Sequence, residues 1–138
     1  MNPSTEVKNA VLRLYESMGT GNVAAIERLF SRESGALAIG SDPDEWWAGQ
    51  DTIAAAFRAQ LQGMGTRRIV PGDLKAFAEG TVGWAADRRT IRLADGRVMI
   101  VRETFVLHME DGEWRIVQSH ASVAISNTEA FGRERAAD

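Results

Sequence analysis

The chain has 138 residues, 44% hydrophobic and 25% charged, with a net charge of −3 and no cysteine. That length suits one domain, residues 1–138, around one hydrophobic core, and the composition excludes a disordered chain. Without cysteine there is no disulfide, thiol nucleophile or thiolate metal site, and a negative net charge offers no global attraction for nucleic acid or anionic lipid.

The start, Met1-Asn2-Pro3-Ser4, lacks the basic residues and apolar run of a secretion signal. No apolar stretch approaches the ~18 residues that cross a membrane. The expectation is a soluble, cytoplasmic protein without nucleic-acid or membrane partners.

Val7, Val11, Leu14 and Met18, spaced four, three and four apart, form one stripe of an amphipathic helix. Ser4 is its expected N-cap, and Gly19 to Gly21 supply the stop. Asn22 caps a second helix with Val23, Ile26, Leu29 and Phe30 on one face. Ala36 to Ile39, bracketed by glycines, reads as a brief strand, and Gly40 to Gly49 reads as irregular, with a turn at Asp42-Pro43. A third helix is predicted from about Asp51 to Gln62, with Ile53, Phe57 and Leu61 four apart.

Extended chain follows: strands are predicted over Thr66 to Glu79, Thr81 to Leu93, Val98 to Met109 and Trp114 to Ile125. Asp95-Gly96 and Asp111-Gly112 are hairpin turns, because both residue types tolerate positive φ. After Ser126 the chain reads as a polar tail, 126–138, so the core spans about 5–125. Helices first and strands afterwards predict an α+β fold: three N-terminal helices packed in the concave face of a strongly curved antiparallel sheet. Curvature follows from size. A twelve-residue strand spans roughly 40 Å, whereas a chain of this length has a radius of gyration near ~14 Å. Flat strands would overhang the core, so the sheet must wrap, and Pro71-Gly72 is a bulge at which it does so. A curved sheet closed by helices leaves a cavity for a small, mostly apolar ligand.

The order of elements, the Gly21-Asn22 turn, the run Asp44-Glu45-Trp46-Trp47-Ala48-Gly49 and the final strand from Trp114 to Ser122 together resemble a known family. It is the SnoaL-like branch of the nuclear-transport-factor-2-like superfamily, which also holds the ketosteroid isomerases. The resemblance covers about Thr5 to Ile125 and implies a cone-shaped, cystatin-like roll, commonly a homodimer through the convex sheet face. It implies no single activity, because the superfamily includes isomerases, cyclases, hydrolases, dehydratases and binding modules. The aspartate base of its ketosteroid isomerases falls nine residues before the glycine that opens the third helix; here that position is Gly40, with Asp42 two residues away. Tyr15 stands one residue late on the first helix, about 100° round, and is expected to face elsewhere.

Candidate site residues come from two segments. His120 and Ser122 share strand parity with Trp114, Ile116 and Gln118, so an inward face would bring an imidazole and a hydroxyl together. Histidine there suits a general base or a carbonyl-polarising group; the plainer reading is a histidine bonded into the core. Asp42, Asp44 and Glu45 stand beside Trp46-Trp47, where desolvation favours a protonated carboxyl; they serve equally as turn caps or ion-pair partners. Trp46, Trp47 and Trp84 are candidate pocket walls, with one of Trp46 and Trp47 inward and the other on a rim. Arg102 points inward to an acidic ligand or outward to solvent. The arginines Arg88, Arg89, Arg92, Arg97 and Arg102 alternate with Asp87, Asp95 and Glu103 and read as a solvated strand face. No cofactor is implied, and no histidine completes a metal set with the acids. The leading expectation is a small-molecule-binding domain. Its alternatives are a cofactor-free isomerase, dehydratase or hydrolase using His120 with a carboxylate from Asp42–Glu45, and a non-catalytic assembly domain.

Overall fold

A short strand β1 (Asn2–Pro3) leads into helix α1 (Thr5–Thr20) in the computed structural model, which describes residues 1–132. Ser4 Oγ accepts the Val7 N–H at 3.1 Å, an N-cap of the kind that contributes about 1 kcal/mol. Gly21, at φ 72°, ends the helix: its N–H reaches the Met18 carbonyl, and the Asn22 N–H reaches Ser17. Asn22 then caps α2 (Val23–Leu29). Next come β2 (Leu37–Ile39), β3 (Trp46–Ala48), α3 (Gln50–Met64), β4 (Arg67–Val70) and β5 (Lys75–Glu79). The chain closes with β6 (Val82–Leu93), β7 (Val98–Glu110), β8 (Glu113–Val123) and α4 (Asn127–Phe131). No helix among the described residues is long and apolar enough to cross a membrane.

The sheet order is β1-β5-β6-β7-β8-β2-β3, with β4 on the far end of β6. The sheet is mixed, not purely antiparallel as expected, because β2 runs parallel to β8 while it forms an antiparallel pair with β3. The long strand expected over 66–79 divides into β4 and β5 around Pro71-Gly72. Gly72 lies so close to the Arg88 carbonyl that a Cβ would sit 2.0 Å from its oxygen, and the Gly72 and Asp73 N–H groups both donate to Asp87 Oδ1. The expected polar tail begins instead with α4, whose N-cap is Ser126; residues 133–138 of that tail lie outside the described residues.

One irregularity decides which way the last strand faces. Val106 stands opposite Gln118 and Leu107 opposite Ile116, so Val117 is an extra residue, a β-bulge in β8. Before it, Trp114 and Ile116 are buried; after it, Ser119 is buried while Gln118 and His120 are exposed. The expected shared parity of Trp114 and Ile116 with His120 and Ser122 is therefore broken, because a single added residue reverses every following side chain.

The core forms between the inner sheet face and one face of each long helix. Val7, Ala10, Val11, Leu14, Tyr15 and Met18 of α1 meet Phe57 and Leu61 of α3 and Phe105, Leu107 and Ile116 of the sheet in one cluster. A smaller cluster of Ile91, Leu93 and Val101 lies apart, flanked by half-buried Met64, Ile69 and Met99. Side chains of this size each contribute about 1.5–3 kcal/mol on burial.

Candidate functional site

Between the two apolar clusters the inner sheet face turns polar. On β6, Gly83, Ala85, Asp87, Arg89, Ile91 and Leu93 alternate inward, and all are buried. On β7 the inward series includes Val101, Glu103 and Phe105. Asp87 stands opposite Glu103, and Arg89 follows two residues on. These three charged side chains are 5%, 6% and 5% exposed for Asp87, Glu103 and Arg89, which corrects the expectation of a solvated face for this part of the run.

Tyr15 reaches the cluster from α1. It is buried and faces inward, because it lies four residues beyond Val11 and so only about 40° from it around the helix. Its hydroxyl donates to Asp87 Oδ2 at 2.8 Å, while Asp87 Oδ1 accepts the Gly72 and Asp73 N–H groups at 3.1 and 2.7 Å. Asp87 is thus occupied as an acceptor on both oxygens. Arg89 pairs with Glu103 through Nη1 and Oε1, and its guanidinium carbon lies 5.3 Å from the Tyr15 ring centre. Burial raises the pKa of the Tyr15 hydroxyl, with the Asp87 hydrogen bond adding to the rise against the Arg89 charge. Tyr15 is therefore a neutral donor. Burial pulls Arg89 below its usual value, opposed by Tyr15 and Asp87.

Three buried atoms of the cluster, Arg89 Nε and Nη1 and Glu103 Oε1, make no hydrogen bond among the described residues, and of these Nη1 and Oε1 face each other as the ion pair. Arg89 Nε is buried and donates to no described side chain or backbone group. A buried donor without an acceptor costs about 1–3 kcal/mol, and more when it is charged. The arrangement thus leaves a guanidinium N–H buried on the inner face without an acceptor among the described residues.

The expected site residues lie elsewhere. His120, Ser122 and Arg102 come together, but on the outer sheet face, where Arg102 stands opposite Ser122 and Thr104 opposite His120. Asp44 is exposed. Glu45 is committed to structure: Oε1 accepts the Asp42 N–H at 2.8 Å and Oε2 accepts from Gln60 Nε2 of α3 at 2.5 Å. His120 points outward and Glu45 toward α3, so the two do not converge. Gly40, which holds the position of the absent aspartate base, packs against this glutamate; a Cβ there would lie 2.6 Å from Glu45 Cβ. Trp46 is 65% exposed, whereas Trp47 packs against the main core. Trp84 is on the outer face, its ring 6.2 Å from that of Phe77.

The inward residues missed from the sequence had a usable signal. Ala85, Ile91 and Leu93 fix the inward parity of β6, and Asp87 and Arg89 fall in that series. The neighbouring Arg88 and Arg92 drew the whole run to the surface reading.

Comparison with solved structures places this geometry in a wider setting. An NTF2-like protein of unknown function from Pseudomonas putida is 17% identical, with a TM-score of 0.79 over 92% of this chain and 93% of its own. A candidate dehydratase of the NTF2-like family from Streptomyces avermitilis is 14% identical, with a TM-score of 0.78 over 87% and 94%. A candidate calcium/calmodulin-dependent protein kinase type II association domain from Thiobacillus denitrificans is 17% identical, with a TM-score of 0.76 over 91% and 98%. At these identities the likeness shows the fold alone. A search of curated proteins returns no match. The profile of the SnoaL-like domain covers residues 7–126, and the chain belongs to the SnoaL-like domain family within the NTF2-like fold.

Proposed function

We propose that this SnoaL-like domain binds a small molecule, mostly apolar with one acceptor oxygen, at the inner-face cluster of Tyr15, Asp87, Arg89 and Glu103. The observation that carries the reading is Arg89 Nε, a buried cationic donor with no acceptor among the described residues. A ligand carboxylate or carbonyl supplies that acceptor in a charge-assisted bond. Half-buried Met64 and Met99, beside Ile91 and Val101, supply adaptable walls for the apolar part, since methionine side chains repack at low cost. Tyr15 and Asp87 hold the frame and do not transfer protons in this reading.

The test uses 4-phenylbutyrate and its alcohol analogue as probes. The carboxylate should raise the melting temperature of the wild-type protein more than the alcohol, and that difference should vanish in Arg89→Met. Equal responses in both proteins would remove Arg89 from the site.

A second reading, self-association, is favoured by the apolar end of the outer sheet face. Val82 and Val106 are exposed there at 43% and 39%, beside the Phe77–Trp84 stack. A second copy related by a two-fold axis is the occupant that such a self-complementary patch suits.

A further inference from the structure

The other end of the outer face has a different character. A groove of about 420 Å³ runs across β5 to β8, and Lys75, Arg88, Arg102, Thr104, His120 and Ser122 are among its walls. Register explains why they meet. Arg88 stands directly opposite Arg102, which stands opposite Ser122; one pair along, Lys75, Ala86, Thr104 and His120 follow one another across four strands.

Two cations directly opposite each other on a sheet repel, and the arrangement is destabilising unless something neutralises it. Nothing described does so: neither Arg88 nor Arg102 takes part in an ion pair or a side-chain hydrogen bond among the described residues. Three carboxylates, Asp73, Asp87 and Glu103, also line the groove, and each is engaged with a group other than Arg88 or Arg102. Asp73 pairs with Lys75 at 3.2 Å, Asp87 accepts from Tyr15, and Glu103 pairs inward with Arg89. A second like-charge pair, Arg68 opposite Arg92, lies farther along the same face. The cleft between α1 and α2 has the opposite lean: Glu6, Glu16 and Glu113 outnumber Arg13 and Arg28.

Solvated arginines on a convex surface need no explanation. Here the paired arginines instead line a concavity, flanked by two hydroxyls and an imidazole. We propose that this groove is a binding site for a phosphorylated small molecule. The two guanidinium forks grip the phosphate oxygens, and Thr104, Ser122 and His120 complete the donor set. The volume lies within the range of small-molecule pockets, so it has room for a body beyond the phosphate group. The site is on the opposite sheet face from Arg89 and does not depend on the interior reading.

Phenyl phosphate and inorganic phosphate are the probes, titrated by calorimetry at constant ionic strength. Phenyl phosphate should saturate with a Kd below about 1 mM. Arg88→Gln and Arg102→Gln should each weaken binding about tenfold or more, and Arg92→Gln, outside the groove, should leave it unchanged. Without ligand, the first two variants should melt at or above the wild-type temperature, since each removes a like-charge repulsion; this separates lost binding from lost folding. Inorganic phosphate should bind the same site more weakly. Absence of saturation, or equal losses in all three variants, would overturn the proposal.

Discussion

The Tyr15 hydroxyl donates to Asp87 Oδ2 at 2.8 Å, joining α1 to β6 across 72 positions of sequence. The other oxygen of the same carboxylate holds the Gly72 and Asp73 N–H groups where β4 gives way to β5. One buried side chain therefore ties a helix, a strand and a bend together. Tyr15→Phe should cost about 1–3 kcal/mol in urea unfolding, because it leaves a buried carboxylate oxygen without its donor.

The same tyrosine gives the protein an alkaline weakness. Its hydroxyl titrates above the ordinary value of 10.0 in the folded state, while the unfolded chain retains that ordinary value. Between the two values the unfolded chain has already released its proton and the folded one has not. Stability should thus be intact below about pH 10 and decline as the pH rises beyond it. Because Tyr15 is the only tyrosine, its tyrosinate absorbance reports this site alone. The folded protein should ionise at higher pH than the urea-unfolded protein, and the alkaline decline should be smaller in Tyr15→Phe. Coincident titrations would contradict the buried, Asp87-bonded hydroxyl.

Gly40 and Glu45 should behave as a coupled pair. A Cβ at position 40 would fall 2.6 Å from Glu45 Cβ, so Gly40→Ala should destabilise by about 1–3 kcal/mol. The loss should shrink in a background carrying Glu45→Gly, giving a coupling energy in the range of about 0.5–3 kcal/mol. Gly40→Asp, which restores the carboxylate of the ketosteroid isomerase pattern, should be still less stable. Additive losses in the double variant would exclude the contact.

The bulge at Val117 makes a prediction that simple alternation reverses. His120→Ala should change stability by no more than about 0.5 kcal/mol, as an exposed side chain should. Ile116→Ala, fully buried, should cost about 2–5 kcal/mol. Ser119→Lys should be severely destabilising, because that position is 3% exposed. A large loss from His120→Ala with a small one from Ser119→Lys would place the bulge elsewhere.

For self-association, sedimentation should give twice 15.1 kDa at micromolar concentration. Val106→Asp, in the middle of the apolar patch, should return the monomer. A wild-type monomer would exclude pairing through this face.

Much of the frame is legible in the sequence. The helix caps Ser4 and Asn22 and the Asp-Gly turns are local chemistry, and the turns appear with Gly96 at φ 91°, Asp111 at φ 51° and Gly112 at φ 79°. An irregularity at Pro71-Gly72 was legible for the same reason, although it divides two strands where a bulge within one was expected. The parallel pairing of β2 with β8 was not, because it joins segments about eighty residues apart and leaves no local mark. The bulge was hidden too: Ile116-Val117 followed by three polar residues has no bulge signature of its own, and only the register with β7 reveals the extra residue. That one residue turned His120 and Ser122 from the expected interior to the outer face, where they meet Arg102, whose facing the sequence left open. The interior cluster was legible in parity, yet its charged residues matched the pattern of a surface.

The most direct test of the interior reading is a crystal structure of the protein with 4-phenylbutyrate. A carboxylate oxygen should lie within hydrogen-bond distance of the Arg89 guanidinium, with the phenyl ring against Met64 or Met99. A ligand bound away from Arg89, with Arg89 Nε donating to another protein group, would contradict that reading.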